Sequence, residues 1–242
     1  MKDVILRDLD GMAEFRLAEA LQNDVWGHDD MADPADLMMV IQAEGGLCAG
    51  AFEDSRLIGY IFAFPTRDPQ VQHSHRLALR AEARGLGLGA RLKWYQRDWC
   101  LARGIGLVRW TYDPLRLLNA NLNIGTLGAI GRTYYPDYYG QMAGINAGAP
   151  SDRLLAEWFV GDAAVAARTA RQAVEAAPVS RIAIPADFAE MLTADPGRAL
   201  AERLRLRREI TEAFAREEEI TGFDRTRGEY LLTGRAGRGE AG

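Results

Sequence analysis

The spacing of apolar and polar positions divides the chain into short elements of changing period. Residues 4–6 read as a first strand. Residues 12–25 (MAEFRLAEALQNDV) carry apolar side chains near helical spacing, with Asp10 as N-cap. A second helix fits residues 34–42, with Asp33 and Pro34 as the cap and first-turn pair. The period then shortens. Residues 47–52, 57–64 and 75–79 are rich in strand-forming residues and are separated by EDSR and TRDPQ turns, which predicts an antiparallel meander. From Leu88 the pattern is helical again. Leu88, Leu92, Tyr95, Trp99 and Ala102 share one face, Lys93, Arg97 and Asp98 lie off it, and Gly104 marks the stop. A strand at 107–112 completes a strand–glycine loop–helix–strand crossover, which places one parallel pair in an otherwise antiparallel sheet.

A helical stretch at 115–127, a tyrosine-rich strand (GRTYYPDYYG) and a strand at 153–159 follow. Beyond residue 160 the register restarts. A helix is expected over 162–176 and a short strand over 181–184. A long helix opens at Asp195-Pro196 and turns Leu200, Leu204, Ile210 and Phe214 toward the core. Residues 220–223 and 230–232 read as closing strands. Isolated hairpins are marginal, and no Pro/Ser-rich linker precedes Gly161. The expected division is therefore a core at 1–160, an extension at 161–235 packed on it, and a disordered tail at 236–242. The fold class is α/β (α+β), with a mixed, mostly antiparallel twisted sheet.

Composition narrows the function. The chain has 242 residues, 48% hydrophobic and 26% charged, the profile of a soluble globular protein. Its formal net charge of -5 supplies no global positive field for nucleic acid or an anionic membrane, so an anionic ligand must be held by local groups. No run approaches the roughly 20 apolar residues of a membrane span, and MKDVILRDLDG lacks a signal-peptide pattern. A cytoplasmic protein is expected. Cys48 and Cys100 stand far apart without ligand spacing. His73 and His75 lack a third metal ligand, and His28 is remote in sequence, so no metal is expected.

The chemistry concentrates in RGLGLGARL. Gly85, Gly87 and Ala90 spell the dinucleotide pattern G-x-G-x-x-A, and Arg84, Gly87 and Gly89 spell R-x-x-G-x-G. The first pattern normally follows its strand directly and opens a series of parallel units. Here it comes after three strands that read as antiparallel, which argues against nicotinamide. A loop of backbone N–H groups running into a helix N-terminus binds diphosphate without net positive charge.

The order helix–helix–meander–RGLGLG–helix–strand resembles the GNAT superfamily of CoA-dependent N-acyltransferases. HSHRLALRAEARGLGLGARLK, RWTYDPLRLLNANLNIGTLGA, YYPDYYG and SDRLLAEW resemble, more narrowly, a GNAT branch with a C-terminal extension. The likeness covers residues 2–160, and more loosely the chain through YLL at 230–232. It implies acetyl-CoA or another acyl-CoA as co-substrate and a small-molecule amine as acceptor. An amino acid is the first guess, since some relatives in the branch acylate amino acids, succinyl transfer included. A catalytically silent acyl-CoA-binding module is the rival reading, and a homodimer is left open. By the resemblance, the strand Leu77-Ala78-Leu79 pairs with pantetheine. The amides of Arg84, Gly85, Leu86, Gly87, Leu88, Gly89 and Ala90 hold the pyrophosphate. Asn119, with Asn121 and Asn123, either contacts CoA or the acceptor or only caps and pads its helix.

The general acid is where the chain departs from the family. Counting back from Leu127-Gly128-Ala129 puts Ile124 where relatives often place a tyrosine. Tyr112, Tyr135 and Tyr138 are the substitutes, with Tyr134 and Tyr139 beside them; the alternative is no side-chain acid, with solvent protonating the thiolate. For the base, His73 and His75 alternate onto one strand face with Leu77 and Leu79. His75 is the catalytic candidate, together with Asp113, which could instead cap the helix ahead of Pro114. The ERLRLRRE run at 202–209 reads as a solvated face with ion pairs.

Overall fold

Strands β2 (Leu47–Glu53) and β3 (Arg56–Pro65) form the central hairpin, and seven of the ten β3 residues are buried. Such a continuous apolar run is what a strand covered on both faces requires. The computed structural model describes residues 4–27, 31–140, 150–169 and 177–235. The expected tail at 236–242, the end of the helix expected to reach 176, and His28 lie outside these residues.

Contacts divide the described chain into two compact units, and each is considered by itself. The first comprises 4–110 and 159–169; the second comprises 111–140, 150–158 and 177–235. This grouping divides the chain elsewhere than at residue 160. Whether 1–160 and 161–235 behave as core and extension concerns folding autonomy, which limited proteolysis reads.

In the first unit the strand order is β1 (Val4–Asp8), β2, β3, β4 (Val71–Leu79), β5 (Leu107–Tyr112). Every pair is antiparallel except β4–β5, which is parallel as the crossover predicts. Helices α1 (Gly11–Trp26) and α2 (Ala35–Ala43) cover one face, where Phe15, Leu21 and Met38 meet Phe52, Tyr60, Phe62 and Ala78. Helix α3 (Leu88–Leu101) covers the other, with Leu88 and Leu92 against Ala49, Ile61 and Ala63. Pro34, not Asp33, occupies the N-cap of α2. The Asp33 carboxylate turns instead toward β4.

A bulge in β4 overturns one expectation. Phe62 pairs with Arg76 and Ala63 with Ser74, so His75 is an extra residue on its strand. A one-residue slip exchanges the faces of everything beyond it. Leu77 and Leu79 pack on the α3 side. His73 and His75 sit with Phe62 and Phe64 on the α1/α2 side. The histidines and the leucines do not share a face.

In the second unit the order is β7 (Arg153–Phe159), β6 (Ile130–Tyr135), β9 (Glu218–Asp224), β10 (Glu229–Gly234), β8 (Ser180–Ala183), antiparallel throughout. The helix expected at 115–127 is a single turn, α4 (Leu117–Ala120), continued by a π-helical turn at Asn121–Thr126. Helix α5 (Ala163–Thr169) belongs to the first unit, and α6 (Phe188–Ala194) was not foreseen.

Helix α7 (Pro196–Ala215) opens on Asp195, whose carboxylate accepts from the Arg198 amide, as the Asp-Pro signal predicts. Its buried stripe is Ala199, Arg203, Leu206, Ile210 and Ala213, whereas Leu200 and Leu204 are 41% and 44% exposed. Of the expected core contacts Ile210 is buried, whereas Leu200 and Leu204 are displaced, because a buried arginine belongs to the stripe. Arg203 donates two hydrogen bonds, of 2.6 and 2.8 Å, to the Asp113 carboxylate. The 202–209 run is therefore not simply a solvated face. Removing one partner of a buried pair strands the other charge and costs about 3–5 kcal/mol. Asp113→Ala should lower unfolding free energy by that order in a denaturant titration. Asp113→Ala combined with Arg203→Met should recover most of the loss.

Candidate active site

The glycine loop forms as its sequence demands. Gly87 is the N-cap of α3 with φ of 73°, a left-handed conformation costly for residues with a Cβ. A glycine offers no capping side chain, so the first-turn amides of Leu88, Gly89 and Ala90 lack intrahelical partners. Residues 84–87 are exposed, and a Cβ at Gly87 would meet no protein atom within 4 Å. Arg84 folds back onto the strand end, donating to the Leu79 carbonyl at 3.3 Å. The result is an open cradle of N–H groups at the positive end of a helix dipole, suited to a diphosphate.

This cradle follows a strand with an open edge. The β4–β5 ladder holds three pairs among the described residues, Val71–Leu107, Gln72–Val108 and His73–Arg109. From Ser74 to Leu79 the strand pairs with β3 on its other side. Leu77, Ala78 and Leu79 therefore have main-chain groups available to an extended ligand, the geometry of strand addition.

On the α1/α2 face, the His75 Nε2 lies 3.3 Å from Asp33 Oδ1, and Arg76 Nε lies 2.9 Å from the other Asp33 oxygen. Burial raises the Asp33 pKa, but His75 and Arg76 outweigh it and hold the carboxyl below its ordinary value. His75 is exposed, whereas His73 stacks on Phe64 at 4.8 Å. Burial first, then the charges of His75, Arg109 and Lys93, push His73 down to about 4. His73 is accordingly neutral near pH 7.

On the α3 face lies a polar cluster. Lys93 is 2% exposed; its Nζ donates to Ser74 Oγ at 2.9 Å and Gln96 Oε1 at 3.0 Å, and sits 3.5 Å from the Trp110 ring centroid. Gln96 donates to Gln72 Oε1 at 2.7 Å, and the Cys100 thiol approaches the same oxygen at 3.3 Å. Burial pulls the Lys93 amine down to about 7.

Residues 12–117 match the model of the acetyltransferase (GNAT) family. Over this segment the chain is similar to that family, although the match spans less than half of its length. Its fold is shared with the ribosomal-protein-S18-alanine N-acetyltransferase of Escherichia coli (TM-score 0.55, 14% identity, 66% of this chain and 96% of that one). It is shared too with an N-acetyltransferase of Staphylococcus aureus Mu50 (0.54, 13%, 65% and 99%). A third is the phosphinothricin acetyltransferase of Sinorhizobium meliloti, solved with acetyl-CoA (0.50, 18%, 65% and 88%). No curated protein matches in sequence. No helix among the described residues is long and apolar enough to cross a membrane, and no metal-ligand cluster occurs among them.

The remaining candidates lie in the second unit. Ile124 is fully buried in the π-helical turn. Tyr112 is buried, with its hydroxyl 3.3 Å from that of Tyr230, and burial raises its pKa well above the ordinary phenol range. Tyr134 donates to Asp152 at 2.7 Å. Tyr135 and Tyr138 contact each other at 4.9 Å, with Tyr138 and Tyr139 exposed past the end of β6. Asn119 is exposed on α4. Asp113 accepts the Leu115 amide at 3.0 Å besides binding Arg203. That is the capping alternative: both carboxylate oxygens are engaged by donors within the second unit.

The sequence reading missed Asp33 as the partner of His75, because Asp-Pro reads first as a helix start. It also set Lys93 off the apolar face. The available signal was the stripe Leu88, Leu92, Gln96 and Cys100 at intervals of four, which carries Lys93 inward.

The buried amine has a consequence for stability. A lysine in the unfolded chain stays protonated to about pH 10.4, whereas the folded Lys93 is neutral above about 7. Between these values the unfolded state binds more protons, so stability rises with pH, and below pH 7 the penalty is fully present. Lys93→Met should remove this slope and stabilise the protein most below pH 7, by up to on the order of 4 kcal/mol. Chemical denaturation from pH 6 to 10 reads both effects.

Proposed function

We propose that this protein transfers an acetyl or other short acyl group from CoA to the amine of a small molecule, an amino acid being the first acceptor class to try. The observation that carries the reading is the succession of open β4 edge, Gly87 cradle and uncapped α3 N-terminus. In this arrangement the Leu77–Leu79 main chain receives the pantetheine arm and the amides from Gly85 to Ala90 receive the pyrophosphate, the Arg84 amide already donating to the Ala81 carbonyl. The S. meliloti neighbour of the same fold, solved with acetyl-CoA, supports acyl-CoA as co-substrate.

The acceptor amine must lose a proton before it attacks the thioester carbon. His75 is the proposed base. Asp33 orients its ring from one nitrogen, leaving the other for the ammonium, the base-plus-orienter pattern of general-base sites. His73 at about 4 is too weak a base for an ammonium near neutral pH, so it lines the face as a neutral ring.

Titration with acetyl-CoA, succinyl-CoA and NADH tests the co-substrate, and NADH binding alone would refute the reading. Gly87→Val puts a branched side chain where the diphosphate approaches and should weaken CoA binding at least tenfold, about 1.4 kcal/mol. Unchanged CoA affinity in a folded variant would refute the loop assignment. In an acyl-transfer assay over an amine panel, His75→Gln should lower kcat by about 10²–10⁴ with CoA affinity intact. Absence of transfer to any amine would favour the silent CoA-binding module.

A further inference from the structure

The second proton transfer of the reaction has no donor assigned above. Ile124 has no acidic proton, and the hydroxyls of Tyr112 and Tyr134 are committed to Tyr230 and Asp152. The first unit holds a group the base chemistry does not use. His73 and Arg109 are the last paired residues of the β4–β5 ladder, so Ser74 and Trp110 are the first residues on the diverging strands. Lys93 touches both: its amine donates to Ser74 and sits over the Trp110 ring. It spans the apex of the splay from the α3 side, while His75 lies on the opposite face.

We propose that Lys93, acting through the Ser74 hydroxyl, supplies the proton that the departing CoA sulfur acquires. This rests on the acyl-CoA reading above. As the acceptor nitrogen bonds to the acyl carbon, the C–S bond breaks and its electron pair goes to sulfur. Ser74 gives its hydroxyl proton to that sulfur and is refilled from the Lys93 ammonium, which leaves Lys93 neutral. Of the two protons the acceptor ammonium loses, one balances this transfer after Lys93 reprotonates, and the other leaves to solvent. Ser74 is thus the relay, and Lys93 is a positioning and proton-holding residue behind it.

The surroundings suit the role. Burial holds the Lys93 amine at about 7, where a group both gives and takes a proton near neutrality. The titratable groups that bear on it are His73 on β4 and Cys100 on α3. His73 is neutral, and burial raises the Cys100 thiol to about 12, so neither adds a permanent charge beside Lys93. The Trp110 face stabilises the ammonium while it waits.

The test uses full-length protein and CoA with its free thiol, the ionisation of the bound thiol being followed by thiolate absorbance against pH. In the wild type, the bound thiol should ionise about one pH unit or more below its value in Lys93→Met and in Ser74→Ala, a tenfold change in ionisation ratio. CoA affinity at low pH should be alike in all three. With a verified amine, kcat should fall about 10²-fold in both variants. Identical thiol ionisation in the wild type and both variants overturns the inference and leaves the acyltransferase reading standing. Failure of the wild type to bind CoA overturns both. Ser74→Ala keeps the lysine, so it decides the matter if Lys93→Met does not fold.

Discussion

Three backbone pairs join β4 to β5, and one buried lysine amine touches both strands where they part. The parting leaves the β4 main chain from Ser74 to Leu79 open on one edge, while β3 holds the other. Everything proposed for the site follows from that edge. The same strand leads through the short turn at Ala81–Ala83 into Gly87 and the α3 N-terminus, so an extended ligand on the edge reaches a diphosphate cradle at its end. A buried lysine is an expensive way to join two strands, since an apolar side chain of similar length fills the space without desolvation. Three interactions offset part of that cost: the hydrogen bonds to Ser74 and Gln96 and the Trp110 face.

The bulge at His75 gives the strand its second property. One inserted residue turns Leu77 and Leu79 toward α3 and leaves His73 and His75 toward α1 and α2. Apolar anchoring and proton chemistry are thereby separated onto opposite faces within a few residues. Asp33, just before α2, completes the histidine side by binding His75 and Arg76 together. A carboxylate shared between an imidazole and a guanidinium keeps its charge despite half-burial.

The second unit is organised by buried ion pairs. Arg203 clasps Asp113, and Arg207 clasps Asp152, which also accepts from Tyr134 and the Asp137 amide. Each carboxylate is satisfied by several donors, the condition under which a buried charge is tolerable. Asp113 therefore belongs to the framework that fixes α7 against the residues after β5.

Period and punctuation were enough to determine the order of strands and helices in the first unit, the parallel crossover and the glycine loop, although β4 begins at Val71 rather than His75. These depend on neighbours a few residues apart: Gly87 must adopt a positive φ, Gly104 must end α3, and alternation must give way to helical spacing at Leu88. What only the tertiary structure decided was which side chains face one another. The bulge at His75 exchanges strand faces without a local signature, and Arg203 displaces Leu200 and Leu204 from the buried stripe because Asp113, ninety positions away, neutralises it. Lys93 reads as a surface residue until Ser74 and Trp110 are brought around it. Hydrophobic periodicity ranks a residue by its own transfer free energy. A buried charge is stabilised by partners distant in sequence, and only the fold brings them within reach.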